Sequence, residues 1–193
     1  MVVVVVDDPR GKTFACLLDF ASHAIEYGRH AKGIFFRKTN KELEEAIAIS
    51  KQIYGGLGIW RSGDKIWKFK NGATLAMRFM DRDADVERYQ GFSFSWIAFD
   101  ELGNWATDYP YLFMFSSLRS IAGIPTYMRA TGNPGGVGAY WLKARFITPL
   151  KPYAIHRSGK QTIQFIPARL EDNPKLLATD YEEDLKNLPE HLY

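Results

Sequence analysis

A single cysteine, Cys16, leaves no partner for an internal disulfide and fits a reducing compartment. Long apolar runs are missing too. Residues 1–6, Met-Val-Val-Val-Val-Val, fall far short of the roughly 20 that a spanning helix takes. They also lack the basic lead and the small-residue cleavage site of a signal peptide. No internal repeat or low-complexity tract interrupts the 193 residues, and neither sign of charge dominates, with 25 Lys+Arg against 22 Asp+Glu. The resulting net charge of +3 permits a polyanionic partner without demanding one. The histidines (His23, His30, His156, His191) share no metal-ligand spacing with one another or with Cys16, so no zinc site is expected. What remains is expected to be a soluble, intracellular chain. At this length it forms one domain with a buried core and room for a small appendage.

Residues 95–101, Ser-Trp-Ile-Ala-Phe-Asp-Glu, stand out from that background. Trp96, Ile97, Ala98 and Phe99 form an unbroken apolar run, the pattern of a strand buried on both faces of a parallel sheet. The run ends on adjacent carboxylates, Asp100 and Glu101, where open α/β sheets bind ligands. Asp100 is suited to hold a magnesium ion and Glu101 to orient or deprotonate a water. The same pattern also fits a core strand followed by a solvated acidic turn.

The start of the chain supplies a second candidate. Val2, Val3, Val4, Val5 and Val6 are β-branched and predict a buried strand, and residues 7–11, Asp-Asp-Pro-Arg-Gly, predict a loop. From Lys12 a helical period begins, with Phe14, Leu17, Leu18, Ala21, Ala24 and Ile25 on one expected face and Gly28 as its stop. Strand, loop and helix start are the setting of a phosphate-binding P-loop, and Gly11-Lys12-Thr13 is the end of its G-x-x-x-x-G-K-[ST] pattern. Main-chain N–H groups at the helix start would hold phosphate oxygens, Lys12 would reach the outer phosphates, and the Thr13 hydroxyl would ligate magnesium. Two features count against a nucleotide site. Val6 takes the place of the leading glycine, and Asp7 and Asp8 bring negative charge towards a proposed anion site.

Between these stretches, residues 34–36 predict a short strand ending in Arg37-Lys38. Thr39 and Glu42 have capping-box spacing at the head of a helix whose apolar face is Leu43, Ala46, Ile47, Ser50, Ile53 and Tyr54. Residues 65–70 and 73–79 alternate around Asn71-Gly72 and predict a hairpin, with Trp67 and Phe69 on one face and Leu75, Met77 and Phe79 on another. Residues 81–87 predict a charged loop or short helix, and 110–118 a helix opened by Pro110. Residues 126–131 predict a strand running into the glycine-rich loop 132–138 and then a helix over 139–147. That loop would lie across a nucleotide, with Thr131 and Asn133 sensing the outer phosphate, although glycine and proline also mark ordinary turns. A last strand is expected over 162–166, then a turn at Asp172-Asn173-Pro174 and a closing helix over 182–188. Lys143, Arg145 and Lys151 fit either a nucleic-acid face or a solvated one.

Taken together, these stretches resemble the ATPase motor domain of tailed-phage terminase large subunits, the DNA-packaging motors. The resemblance rests on Gly11-Lys12-Thr13, Phe35-Phe36-Arg37-Lys38-Thr39, the hairpin between Lys68 and Met77, Arg88-Tyr89-Gln90-Gly91 and Phe99-Asp100-Glu101. It continues through Ala130-Thr131-Gly132-Asn133-Pro134-Gly135-Gly136 and Ile166-Pro167-Ala168-Arg169-Leu170, so it spans nearly the whole chain in the family's order.

The resemblance implies an α/β fold: a RecA-like P-loop core with a mainly parallel sheet over residues 1–150 and a small linker or lid subdomain over 151–193. Gly11, Lys12 and Thr13 match Walker A, with Thr13 on the metal. Asp100 matches the Walker B aspartate and Glu101 the catalytic carboxylate. Thr131, Gly132 and Asn133 match the motif coupling hydrolysis to movement on DNA. Arg10 stands where many members carry an arginine acting on the γ-phosphate, and Arg88 is a second candidate arginine finger, in cis or from a neighbouring subunit. The implied cofactors are ATP and Mg2+. The implied partners are the backbone of double-stranded DNA, the portal protein and the terminase small subunit. The chain would form a ring when assembled, with a monomer possible in isolation, in the cytoplasm of an infected bacterial host. Neither the family's nuclease domain nor its upstream adenine-contacting segment has a counterpart here, so nuclease activity is not expected. Two other readings stay open: a nucleotide-binding assembly module whose degenerate loop hydrolyses little, and a helicase-like P-loop ATPase outside packaging.

Overall fold

The computed structural model describes residues 2–6, 11–133, 135–159 and 161–167. The expectations for Arg10, Asp7 and Asp8, for the turn at 172–174 and for the helix at 182–188 lie outside them. In chain order the elements are β1 (Val2–Val6), α1 (Lys12–Tyr27), β2 (Lys32–Arg37), α2 (Asn40–Tyr54), β3 (Gly58–Arg61), β4 (Ile66–Phe69), β5 (Thr74–Phe79) and β6 (Trp96–Phe99). Then follow α3 (Tyr109–Phe113), β7 (Tyr127–Gly132), α4 (Ala139–Leu142), β8 (Ile155–Ser158) and β9 (Gln161–Pro167). Among the described residues no helix is long and apolar enough to cross a membrane.

All of the described strands join one sheet in the order β3-β4-β5-β2-β6-β7-β1-β9-β8. From β5 to β9 every neighbouring pair is parallel, while β3–β4, β4–β5 and β8–β9 are antiparallel. Parallel central strands have both faces covered, which is why β2 and β6 read as continuous apolar runs rather than alternating ones. Trp96 and Ala98 of β6 enter the core under α1 and α2, together with Phe35, Leu75 and Met77. Ile97 and Phe99 enter the opposite core with Ile34, Phe36, Met128, Trp105, Tyr111 and Phe146. Trp96 and Phe99 are fully buried, so truncating either to alanine would cost about 3–5 kcal/mol.

The capping box forms as expected. The Glu42 N–H donates to Thr39 Oγ1 at 3.3 Å and the Thr39 N–H to Glu42 Oε2 at 2.9 Å. The hairpin turn is at Asn71-Gly72, with Gly72 at φ 87°, and the Asn71 amide reaches across to the Ala24 carbonyl at 2.7 Å.

Several expectations need correcting. The buried side of α1 is rotated by about one position. Leu17, Ala21 and Ala24 are inside as expected, joined by Cys16, Phe20 and His23, but Phe14, Leu18 and Ile25 are exposed. Periods 14-18-25 and 17-20-24 both satisfy helical spacing. Aromatic contacts of Phe20 with Phe69 and Trp96 go with the second. Trp67 pairs with Leu75 across the hairpin, so Trp67, Phe69, Leu75 and Met77 share one face of the sheet instead of two. Phe79 is 39% exposed. The helix expected over 110–118 is α3 followed by a 3₁₀ turn, Met114–Ser117. The one expected over 139–147 is α4 followed by a π-helical turn, Lys143–Ile147. Strands β3 and β8 gave no sequence signal. Both are edge strands of four residues, where little burial is available to imprint a pattern. The described part of the expected 151–193 subdomain, β8 and β9, lies in the core sheet beside β1.

Candidate functional site

The parallel registers align the carboxyl ends of four central strands. Val6 of β1 pairs with Gly132 of β7, Phe36 of β2 with Phe99 of β6, and Phe99 with Ala130. The residues that follow these ends therefore meet at one edge, together with the first turn of α1. Ligands of open α/β sheets bind at this position.

Asp100 is the hub. Its side chain is 1% exposed, and each carboxylate oxygen is engaged. The Thr131 hydroxyl donates to Oδ1 at 2.5 Å. The Thr13 hydroxyl donates to Oδ2 at 2.8 Å, and the Arg37 guanidinium lies 2.6 Å from the same oxygen. Arg37 also donates to Thr13 Oγ1 at 2.9 Å. A buried carboxylate survives ionised only with such partners.

Glu101 turns sharply out of the strand at φ 60°, ψ 48°, a left-handed conformation that costs a non-glycine residue about 1–2 kcal/mol. Its N–H donates to Thr131 Oγ1 at 3.0 Å. One hydroxyl thus orients Asp100 and holds the strained turn that presents Glu101. Such outliers cluster at functional sites. A further strut fixes the turn from the far side: the Asn104 amide donates to Glu42 Oε1 at 3.1 Å.

Lys12 is buried at the head of α1, directly after Gly11, the N-cap residue. Its ammonium donates to the Gly132 carbonyl at 3.2 Å and to Asn133 Oδ1. The chain thereby closes a ring of contacts, from Lys12 through Gly132 and Asn133 and from Thr131 through Asp100 to Thr13. Gly11, Lys12, Thr13, Asp100, Glu101, Thr131 and Asn133 lie together at this edge. Arg88 is not among them. Its side chain is 78% exposed and paired with Asp85 at 3.0 Å, in a groove shared with Lys65 and Arg78. Arg145 is tied to Tyr111, 5.5 Å from its ring centroid, and to Asp108 at 3.8 Å, while Lys143 and Lys151 are exposed.

The glycine-rich loop has a packing reason of its own. A Cβ on Gly138 would lie 2.3 Å from the Trp105 carbonyl oxygen and 2.8 Å from that of Gly103, to which the Gly138 N–H donates at 2.8 Å. The glycines let this loop close on the turn after Glu101. Cys16, one turn into α1, is no nucleophile here. Burial pushes its thiol well above its usual range, and the charges of Asp100 and Asp19 add to that.

Thr13 and Asp100 supply hard oxygen donors at one point, and magnesium takes few protein ligands beside phosphate and water. The donor set fits that ion. Sequence reasoning missed Arg37, Asn104 and Glu42 as parts of the site. An arginine closing a strand reads as solvated until the sheet order puts β2 beside β6.

This geometry has relatives. The family described as "Terminase large subunit, T4likevirus-type, N-terminal" matches residues 10–190. The chain is similar in structure to the large terminase of a thermophilic bacteriophage in complex with ADP (TM-score 0.67, 16% identity, 95% of this chain and 44% of that one). The same terminase with ATP-gamma-S gives a TM-score of 0.68 at 16% identity, over 96% of this chain and 43% of that one. The N-terminal domain of the bacteriophage phi29 DNA packaging ATPase gives 0.58 at 17% identity, over 89% and 92%. No curated protein sequence matches the chain. The chain spans less than half the length of the thermophilic-phage terminase. At these identities the likeness shows the fold, the RecA-like α/β fold of terminase ATPase domains, and the family match over nearly all residues adds descent: the chain belongs to the terminase large subunits, in their N-terminal domain.

Proposed function

We propose that this chain hydrolyses ATP to drive double-stranded viral DNA into a procapsid. The observation that carries the reading is the convergence of Lys12, Thr13, Asp100, Glu101, Thr131 and Asn133 at the carboxyl edge of the parallel sheet. Lys12 leaves Gly132 and Asn133 for the outer phosphates. Thr13 and Asp100 would hold Mg2+, which would supply positive charge against that of the phosphates. Glu101, presented by its left-handed turn, orients the attacking water and accepts its proton, a role worth about 10²–10⁴ in rate. Thr131 senses the change at Asp100 and Glu101, since its hydroxyl bonds to both residues. Asn133, freed when Lys12 departs, carries the change into the loop 132–138. Arg10 and Arg88 remain the candidate fingers. Arg88, exposed and outside this cluster of contacts, suits a neighbouring subunit's site better than its own.

On this reading residues 1–150 are the motor core, and β8 and β9 extend its sheet before the linker or lid. Its partners are the DNA backbone, the portal protein and the small subunit, in a ring within the infected bacterial cytoplasm. Solved terminase complexes with ADP and ATP-gamma-S support the nucleotide assignment. Titrating a fluorescent ATP analogue with Mg2+ against wild type and Lys12→Ala tests it. Loss of binding in the variant is expected, and equal affinity would overturn the site. Tight binding with no turnover, even with DNA and portal present, would favour an assembly module instead.

A further inference from the structure

Arg37 is unclaimed by the roles above, yet its guanidinium lies 2.6 Å from Asp100 Oδ2. It also donates to the Thr13 hydroxyl at 2.9 Å. Its side chain is 9% exposed, and its Nε–H is buried without a partner. The guanidinium therefore touches both oxygen atoms assigned above to magnesium, with its Nε–H unspent. We infer that Arg37 is a resident counter-ion that holds the metal's place between Thr13 and Asp100 and is exchanged for Mg2+ when the nucleotide arrives. The inference rests on the reading of Thr13 and Asp100 as magnesium ligands.

The physical argument is one of competition for lone pairs. Magnesium needs oxygen ligands at about 2.0–2.1 Å in a nearly ideal octahedron. A guanidinium bonded to Asp100 Oδ2 and Thr13 Oγ1 fills the directions that such a shell would use. Arginine cannot give up its proton to step aside, so the cation must move bodily. Bare Mg2+ offers Arg37 no new partner, and a guanidinium pushed out alone would remain half-buried and unpaired. A nucleotide changes this, because its phosphate oxygens match the planar fork of an arginine. Arg37 closes β2, next to Asp100 at the sheet edge, where its freed guanidinium can follow the phosphate. Metal and nucleotide are thereby made to bind together, and the site stays neutralised in between. Burial keeps solvent from screening the competition.

The test uses the full chain with Mn2+ alone as the probe, free manganese being followed by electron paramagnetic resonance. Without nucleotide, Arg37→Gln is expected to bind Mn2+ about tenfold more tightly than wild type, the reciprocal of the coupling Arg37 imposes. Adding Asp100→Asn to that variant should abolish the gain. With a non-hydrolysable ATP analogue present, wild type and Arg37→Gln should both bind. Equal Mn2+ affinity in the two proteins without nucleotide, when both bind with it, would overturn the role of Arg37 alone. Failure of both to take up Mn2+ even with the analogue would overturn the metal site and this inference with it. If Arg37→Gln does not fold, wild-type protein carrying 15N-arginine keeps the question open to decision. The Arg37 Nε–H resonance should shift with analogue plus Mg2+, and an unchanged resonance on saturation would refute the exchange.

Discussion

Asp100→Asn and Glu101→Gln are neighbouring isosteric changes that the structure expects to fail in different ways. Asp100 is buried against Arg37 and two threonine hydroxyls. Removing its charge leaves the Arg37 guanidinium buried beside a neutral amide. Breaking one partner of a buried ion pair costs about 3–5 kcal/mol, and the remaining amide oxygen of asparagine argues for the lower end, about 3 kcal/mol. In a chain of 193 residues that corresponds to a fall in Tm of about 6–12 °C, at roughly 2–4 °C per kcal/mol. Glu101 is half-buried and its carboxylate is not part of that pair, so Glu101→Gln should stay within about 0.5 kcal/mol, or 2 °C, of wild type. Both variants should lose turnover. Thermal unfolding followed by tryptophan fluorescence reads the first effect, and phosphate release the second. Combining Arg37→Gln with Asp100→Asn should cost about 2 kcal/mol less than the sum of the single changes, since no unpaired charge is left. Equal Tm values for the two single variants, or strict additivity in the double, would refute the hub described for Asp100.

Other outcomes follow from the same contacts. Thr131→Val should lower turnover with little change in nucleotide affinity, because the hydroxyl orients Asp100 and holds the Glu101 turn; Thr131→Ser should restore most of it, and a serine variant as slow as valine would contradict the role. Gly138→Ala meets the Trp105 carbonyl at 2.3 Å and should destabilise by about 1–3 kcal/mol, measurable by urea unfolding. His23 is buried on Ser95 Oγ at 2.9 Å, and burial lowers its pKa below 6.5 against the pull of Asp19 and Glu26. Below pH 6.5 the unfolded chain takes up a proton there that the folded chain resists, so stability rises with pH up to that value and is lost on acidification. Substituting His23→Gln should flatten this limb of the stability profile below pH 6.5.

Much of this site was legible in sequence because its parts are punctuated locally. Asp100 and Glu101 end an apolar run, and Lys12 opens a helix behind a valine strand. Thr131 and Asn133 bracket a glycine at the end of another strand. Each signal lies within a few residues of its neighbour. Arg37 was not legible, since its meaning comes from sheet order: only when β2 lies between β5 and β6 does its end face Asp100. The link between Glu42 and Asn104 spans 62 residues and has no local signature. The rotated face of α1 shows a related failure. Two apolar stripes of equal period compete along that helix, and the contacts of Phe20 decide between them. The loop 132–138 was legible as glycine-rich, but the packing of its glycines against Gly103 and Trp105 depends on a segment about 30 residues earlier.

The central claim is hydrolysis at the Lys12–Asp100–Glu101 edge, and phosphate release with Mg2+ and double-stranded DNA tests it most directly. Wild type is expected to release phosphate in a magnesium-dependent, DNA-stimulated manner. Stimulation should fall steeply with salt, as for contacts to the DNA backbone. Lys12→Ala and Glu101→Gln should both abolish it, while Glu101→Gln still binds nucleotide. Wild-type rates in either variant would contradict the account.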